Sequence, residues 1–139
     1  MRLLLLCCLM FGVAAEACAA DYAGAISAYR RAQGLPAVKL DGKLNELALQ
    51  QAQAMAKSGS VSHNAAGFFG TRVAPLKRRL AAENIGAGFL KFDEMLKQWE
   101  DSRGHRENLL MKGARRVGVA YADNPKSPYR KFWAMLITD

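Results

Sequence analysis

The sequence is poor in the residues that carry cross-links and metal sites. Its three cysteines all lie at the start of the chain, at Cys7, Cys8 and Cys18, and it holds only two histidines. A domain formed by the rest of the chain therefore has neither disulfides nor thiolate chemistry. Its stability must come from packing, which a hydrophobic content of 51% supports.

Long hydrophobic runs are also lacking, since a membrane-spanning helix needs about 20 apolar residues. The longest run, Leu3 to Val13, follows a basic start and precedes small residues. This order predicts a signal peptide over residues 1–20, cleaved near Ala19-Ala20. We therefore expect a secreted or periplasmic protein with one domain over residues 21–139 and no transmembrane segment in the mature chain.

Two other interpretations of the N-terminus stay open. The apolar run could be an uncleaved helix or anchor, although the small residues before Ala20 favour cleavage. Cys18 could carry a lipid, but Ala15-Glu16-Ala17 is a poor lipidation signal.

Acidic residues are few, 12 against 20 basic ones, which gives a formal net charge of +8. The basic residues cluster at 77–79, 115–116 and 126–131. Outside the cell the fitting partners are anionic lipid and cell-wall polymer, and nucleic acid is disfavoured. The alternative is a solvated basic face that aids solubility.

Apolar residues at helical spacing predict three helices. The first runs from Asp21 to Gly34, the second opens at Asp41-Gly42, and the third spans 91–101 and is ended by Gly104. Shorter helices are predicted within 72–80 and 106–112.

Two apolar strands close the chain, at 117–122 and 132–137, joined by a turn rich in proline, asparagine and serine. Helices that precede a hairpin favour an α+β fold in which helices cover a sheet with a C-terminal antiparallel hairpin. We expect Trp99 and Trp133 in the core.

Three side chains stand out as candidate catalytic or metal-binding residues. His63 follows the second helix, Glu83 lies between apolar neighbours, and His105 follows the third helix. Two imidazoles and a carboxylate are a reasonable ligand set for zinc or another divalent cation. The spacing forces no contact between them, so capping or hydrogen-bonding roles are an alternative.

Several stretches, in order along the chain, resemble the CAP superfamily (cysteine-rich secretory, antigen 5 and pathogenesis-related proteins; SCP-like extracellular domain), in particular its cysteine-free bacterial branch. The matching stretches are Tyr29-Arg30-Arg31, Gly34-Leu35-Pro36, Leu40-Asp41, Leu44-Asn45, Met55-Ala56, Gly59, Ser62-His63, Ala82-Glu83-Asn84-Ile85-Gly86, Gly88, Trp99-Glu100-Asp101-Ser102, Gly104-His105-Arg106, Asn108-Leu109-Leu110, Val117-Gly118-Val119-Ala120 and Trp133.

The resemblance implies a three-layer α-β-α sandwich whose cleft is lined by His63, Glu83 and His105, with Asn84 and Asn108 as candidate binding residues. Many members carry a second acidic residue between the first histidine and the glutamate. This chain has none from 64 to 82. A missing carboxylate weakens binding of a divalent cation.

Three functions follow from these observations. Similar proteins bind sterols, lipids, wall components or partner proteins, so a binding module is favoured over an enzyme. The second is a metal-assisted hydrolase of peptides or esters that uses the same cleft. The third is a hydrogen-bonded cluster with a structural role only.

Overall fold

The computed structural model describes residues 13–139, with side chains from Tyr22 onward. The helices are α1 (Val13–Ala32), α2 (Gly42–Ser58), α3 (Phe69–Val73), α4 (Phe92–Asp101) and α5 (Arg103–Leu109), and a 3₁₀ turn at Ala74–Leu76 follows α3. The strands are β1 (Lys39–Leu40), β2 (Ala81–Ala87), β3 (Arg116–Asn124) and β4 (Arg130–Thr138).

The predicted signal peptide falls largely outside the described residues, so its cleavage stays a prediction. Among residues 13–139, no helix combines the length and the apolar character that a membrane crossing needs.

The four strands form one sheet in the order β1-β3-β4-β2. β3 and β4 pair antiparallel, which confirms the predicted C-terminal hairpin, and β2 pairs antiparallel with the outer side of β4. β1 adds a short parallel edge to β3.

Both faces of the sheet are covered, and this explains why β4 is apolar at almost every position. Trp133 and its alternate neighbours Met135 and Ile137 pack into one core, beneath α1, α4 and α5. Phe132, Ala134 and Leu136 pack into the other, beneath α2. Successive side chains of a strand point to opposite faces, so a strand between two layers must be apolar on both. The three-layer α+β sandwich is confirmed, and Trp99 and Trp133 are both buried.

Helix α2 lies very close to the middle of the sheet. A Cβ atom added at Gly118 of β3 would lie 2.2 Å from the backbone of Leu44 and Asn45. The start of the helix is fixed as predicted, because Oδ1 of Asp41 accepts hydrogen bonds from the backbone N–H groups of Lys43 (2.9 Å) and Leu44 (3.1 Å).

Three boundaries differ from those predicted. Helix α1 does not begin at Asp21 but at Val13, because the intervening alanine-rich segment has high helix propensity. The segment 72–80 holds only the end of α3 and the 3₁₀ turn, which Lys77 ends with a positive φ of 52°.

Gly104 does not end the third helix. The break falls at Ser102, whose extended backbone (φ −93°, ψ 121°) separates α4 from α5, and Gly104 lies inside α5. The helix predicted within 106–112 is therefore α5, which starts earlier and ends at Leu109.

Arg30 joins α1 to the loop after α5, although its side chain is fully buried. Its guanidinium donates hydrogen bonds to the carbonyl oxygens of Pro36 (2.9 Å), Leu109 (2.8 Å) and Met111 (3.1 Å). The last carbonyls of a helix have no partner within it, so this contact fixes the end of α5, the helix that carries His105.

Candidate functional site

Glu83 lies at the centre of the candidate site, on strand β2 opposite Leu136 of β4. Its side chain is only 2% exposed. Oε1 accepts a hydrogen bond from Nδ1 of His63 (2.9 Å), and Oε2 accepts one from Nη2 of Arg72 (2.7 Å). Both carboxylate oxygens are therefore already engaged by side chains from the segment between α2 and β2.

Arg72, on α3, is the partner that balances the charge of Glu83. Its side chain is 7% exposed, and it also donates hydrogen bonds to the carbonyl oxygens of Gly67 (3.0 Å) and His63 (3.1 Å). Its Nη1 is buried and has no hydrogen-bond partner among the residues that the structure describes. The guanidinium thus links the His63 turn to Glu83 and places a positive charge beside that carboxylate.

His63 is held in place by a buried glutamine of α2. Nε2 of Gln51 donates to the carbonyl oxygen of Ser62 (2.7 Å), and its Oε1 accepts from the backbone N–H of Ala66 (3.1 Å). Gln51 is fully buried. The Gln51 side chain therefore forms hydrogen bonds on both sides of the turn that carries His63. The side chain of His63 itself is 55% exposed.

The bond to Glu83 also selects the form of the His63 ring. A carboxylate in an ion pair accepts hydrogen bonds and donates none, so we assign the ring proton to Nδ1. In the neutral ring Nε2 is then a hydrogen-bond acceptor.

His105, on α5, approaches the same pocket from the other side. Its Nδ1 lies 2.9 Å from Oγ of Ser102, the residue at the break between α4 and α5. Burial, and secondarily the charge of nearby His63, lower the pKa of His105 below its usual value. The neutral imidazole is thus the favoured form at neutral pH.

Asn84 and Asn108 connect β2 to α5. Nδ2 of Asn108 donates to Oδ1 of Asn84 (2.9 Å) and to the carbonyl oxygen of Glu83 (3.2 Å), while Nδ2 of Asn84 donates to the carbonyl oxygen of His105 (3.0 Å). These amides hold the relative position of Glu83 and His105. A role for them in ligand contact stays a prediction.

His63 and His105 line one pocket of about 380 Å³. Its wall is mostly apolar and includes Ile85, Phe89 and Met95. A Cβ added at Gly86 would lie 2.5 Å from Cε of Met95, so a larger residue there would displace the end of that side chain.

Gln98 of α4 adds an unsatisfied polar atom to this pocket. It also lines a second groove, of about 410 Å³, together with Phe89 and Asp101. Its Oε1 is buried and has no hydrogen-bond partner within the described part of the chain. A buried acceptor without a donor costs about 1–3 kcal/mol, so a ligand donor would recover part of this energy if the Gln98 side chain turned its Oε1 toward the pocket.

The three predicted ligands do not fit a divalent cation as a set. In the part of the chain that the structure describes, no three His, Cys, Asp or Glu side chains are grouped to hold a metal. Both carboxylate oxygens of Glu83 are engaged in hydrogen bonds. The Arg72 guanidinium, whose Nη2 lies 2.7 Å from Oε2 of Glu83, would also repel a cation. The two Nε2 atoms of His63 and His105 remain as the available nitrogen ligands.

The sequence singled out His63, Glu83 and His105, and their role stays a prediction, but it did not indicate the residues that hold them in place. Arg72 was visible as a basic residue in a segment without acids, and Gln51 as a polar residue on the apolar face of its helix. Arg72 and Gln51 act through hydrogen bonds to residues 11 to 15 positions away in the sequence, and the spacing of residue types along the chain does not reveal such contacts.

The sequence also matches a known family. Residues 23–137 match the profile of the CAP, or cysteine-rich secretory protein, family. The uncharacterized protein YkwD of Bacillus subtilis (strain 168) is 29% identical over 103 residues, covering 70% of this chain and 40% of that protein. The chain therefore spans less than half the length of this curated relative.

Solved structures show the same fold. An extracellular protein containing an SCP domain from Bacillus anthracis str. Ames matches with a TM-score of 0.74 at 25% identity, over 88% of this chain and 40% of that one. An outer surface protein of Borrelia burgdorferi matches with a TM-score of 0.72 at 18% identity, over 86% of this chain and 89% of that one. At the latter identity the likeness concerns the fold alone.

Proposed function

Since the chain belongs to the cysteine-rich secretory protein (CAP) family, we propose that it is an exported binding module. Its pocket between His63 and His105 receives an uncharged group, bearing hydroxyl or amide donors, of a lipid, cell-wall or protein ligand. Export is supported by the matched protein of Bacillus anthracis, which is described as extracellular. The ion pair of Glu83 with Arg72 carries the proposal, because it removes the free carboxylate that cation binding or acid–base chemistry would use.

The polar groups of the pocket favour a ligand that donates hydrogen bonds. When its ring is neutral, His63 accepts hydrogen bonds at Nε2, and Oε1 of Gln98 is a buried acceptor without a partner among the described residues. The surrounding wall is apolar, which suits the carbon face of a sugar or a lipid. Few polar groups on an apolar wall are the usual composition of a small-ligand site.

The test uses a neutral disaccharide of N-acetylated amino sugars, which carries both hydroxyl and amide donors. We expect amide NMR shifts of the labelled chain to change around Ile85 and Gln98 as the disaccharide is added. Gln98→Met removes one hydrogen bond and should weaken binding by about 2–10-fold. The matched control is Gln50→Met, which alters an exposed glutamine on α2.

Shift changes confined to residues outside the pocket, or equal effects of the two variants, would exclude this use of the pocket. No shift change with the disaccharide would exclude this class of ligand for it.

A second candidate function is hydrolysis of a peptide or ester, favoured by the carboxylate–imidazole pair of Glu83 and His63. Nε2 of such a ring can accept a proton from water. The hydroxyl of Ser102 is bonded to the other histidine, so these contacts do not form a linear Ser-His-Glu triad. Turnover of a peptide or ester panel that His63→Gln abolishes would support this function. The binding proposal expects no turnover, with or without added zinc.

A further inference from the structure

Two of the three basic clusters in the sequence meet at one end of the sheet. Lys39 of β1 pairs with Arg116 of β3, Arg116 with Thr138 of β4, and Thr138 with Ala81 of β2. These four residues therefore lie on one line across the strands. Arg79 lies two residues before Ala81, so the cluster at 77–79 lies next to this line.

Contacts between the loops confirm that these segments are adjacent. An added Cβ at Gly113 would lie 3.2 Å from Cδ1 of Leu80. The backbone N–H of Arg115 donates to the carbonyl oxygen of Thr138 (2.8 Å), and that of Lys39 to the carbonyl oxygen of Arg115 (2.8 Å). The loop 113–115, which precedes β3, therefore contacts Leu80 before β2 on one side and Lys39 of β1 on the other.

We call this surface the basic end. Its cations are all exposed, and they are Lys39, Lys77, Arg78, Arg79, Lys112, Arg115 and Arg116. Two carboxylates, those of Asp41 and Asp139, lie among them, each 3.5 Å from an arginine. Ion pairs at this distance with an exposed cation are weak, so the basic end keeps a strong positive potential.

A pocket of about 350 Å³ opens within the basic end and is lined by Ala37, Lys39, Arg115 and Arg116. Three cations around one concavity can donate several charge-assisted hydrogen bonds to a single phosphate group. Strands lie about 4.8 Å apart, so the line from β1 to β2 extends across about 14 Å. Lys39 and Arg116 occupy the β1 and β3 positions of this line, and Arg79 lies near its β2 end, so the positive charge extends beyond the pocket.

We propose that the basic end binds a linear phosphodiester polymer, with one phosphate in the Lys39–Arg115–Arg116 pocket and the following phosphates along this line toward Arg79. A row of cations matches the repeating charges of an extended polyanion. This site is separate from the histidine pocket and does not depend on the function proposed for it.

The test is titration of the chain with synthetic poly(glycerol phosphate), followed by calorimetry at several salt concentrations. The test variant replaces Lys39, Arg115 and Arg116 together by glutamine. The control replaces three exposed cations elsewhere, Lys57, Lys126 and Arg130, by glutamine, so both variants lose the same charge.

We expect the wild type to bind, with an affinity that falls as salt rises. The test variant should bind about tenfold more weakly or worse, and its slope of log affinity against log salt should be shallower by about 0.7, the change expected for one lost phosphate contact. The control variant should stay close to the wild type.

Absence of wild-type binding at low salt, or equal losses in the two variants, would overturn the proposal. A parallel titration uses vesicles of phosphatidylglycerol at the same phosphate concentration. Stronger binding to the vesicles than to the polymer would assign the basic end to a membrane surface and also overturn it.

Discussion

Replacing Arg72 by methionine tests the central contact of the site. The change leaves the carboxylate of Glu83 with a side-chain exposure of 2% and without its counter-ion. It also removes the hydrogen bonds from Arg72 to the carbonyl oxygens of Gly67 and His63. Methionine keeps much of the apolar stem, so the effect comes mainly from the lost charge.

The expected magnitude is large. Removing one partner of a buried ion pair destabilises a protein by about 3–5 kcal/mol, because the remaining charge is buried without compensation. Removing both partners costs far less than the sum of the two single changes. The double variant Arg72→Met/Glu83→Gln should therefore be more stable than Arg72→Met alone.

Urea denaturation of the wild type, the two single variants and the double variant measures this coupling. We expect an interaction free energy of about 2 kcal/mol or more between the two positions. A loss below about 1 kcal/mol for Arg72→Met, or additive losses in the double variant, would show that the pair is not a buried, coupled ion pair.

Three further predictions concern other parts of the site and fold. Burial and nearby His63 lower the pKa of the His105 ring in the folded chain, so the unfolded chain binds a proton at His105 more tightly than the folded chain does. The free energy of unfolding is therefore highest above the ordinary pKa of 6.5 and decreases as the pH falls below 6.5. The midpoint urea concentration of unfolding should fall as the pH is lowered through 6.5, and it should fall less steeply for His105→Gln than for the wild type. The same pH dependence in both proteins would contradict this prediction. Gln51→Leu removes both hydrogen bonds that hold the His63 turn, and it should lower the free energy of unfolding by about 2 kcal/mol and speed amide hydrogen exchange in that turn. Gln50→Leu, on the exposed face of α2, should have neither effect. Gly118→Ala places a Cβ 2.2 Å from the backbone of Leu44, so it should lower the melting temperature far more than Gly24→Ala, where a Cβ meets no described atom within 4 Å. Similar effects of the two would contradict the close packing of α2.

The elements predicted well from the sequence are those with a strong local signal. Helices α2 and α4 carry clear apolar stripes, and the hairpin strands are continuously apolar because both faces are covered. Strand β2 has the sequence AAENIGA and little intrinsic β preference. Pairing with β4 makes it a strand, which the sequence alone did not indicate.

The candidate site was predicted only in outline. His63, Glu83 and His105 stood out in the sequence, and the resemblance implied that they line one cleft; the structure places the two histidines at one pocket, with Glu83 bonded to His63. The role of Arg72 was not predicted, because its contact with Glu83 joins a short helix to a strand that was itself missed. The sequence showed only that the expected second carboxylate was absent.

The most direct test of the account is a calorimetric titration with zinc of the wild type, His63→Ala and Glu83→Gln. Because Arg72 engages and neutralises Glu83, we expect zinc binding to be weak at most, with an affinity that Glu83→Gln changes by no more than about twofold. Tight stoichiometric zinc binding that both variants abolish would contradict the account, since it would show that Glu83 is a metal ligand rather than the partner of Arg72.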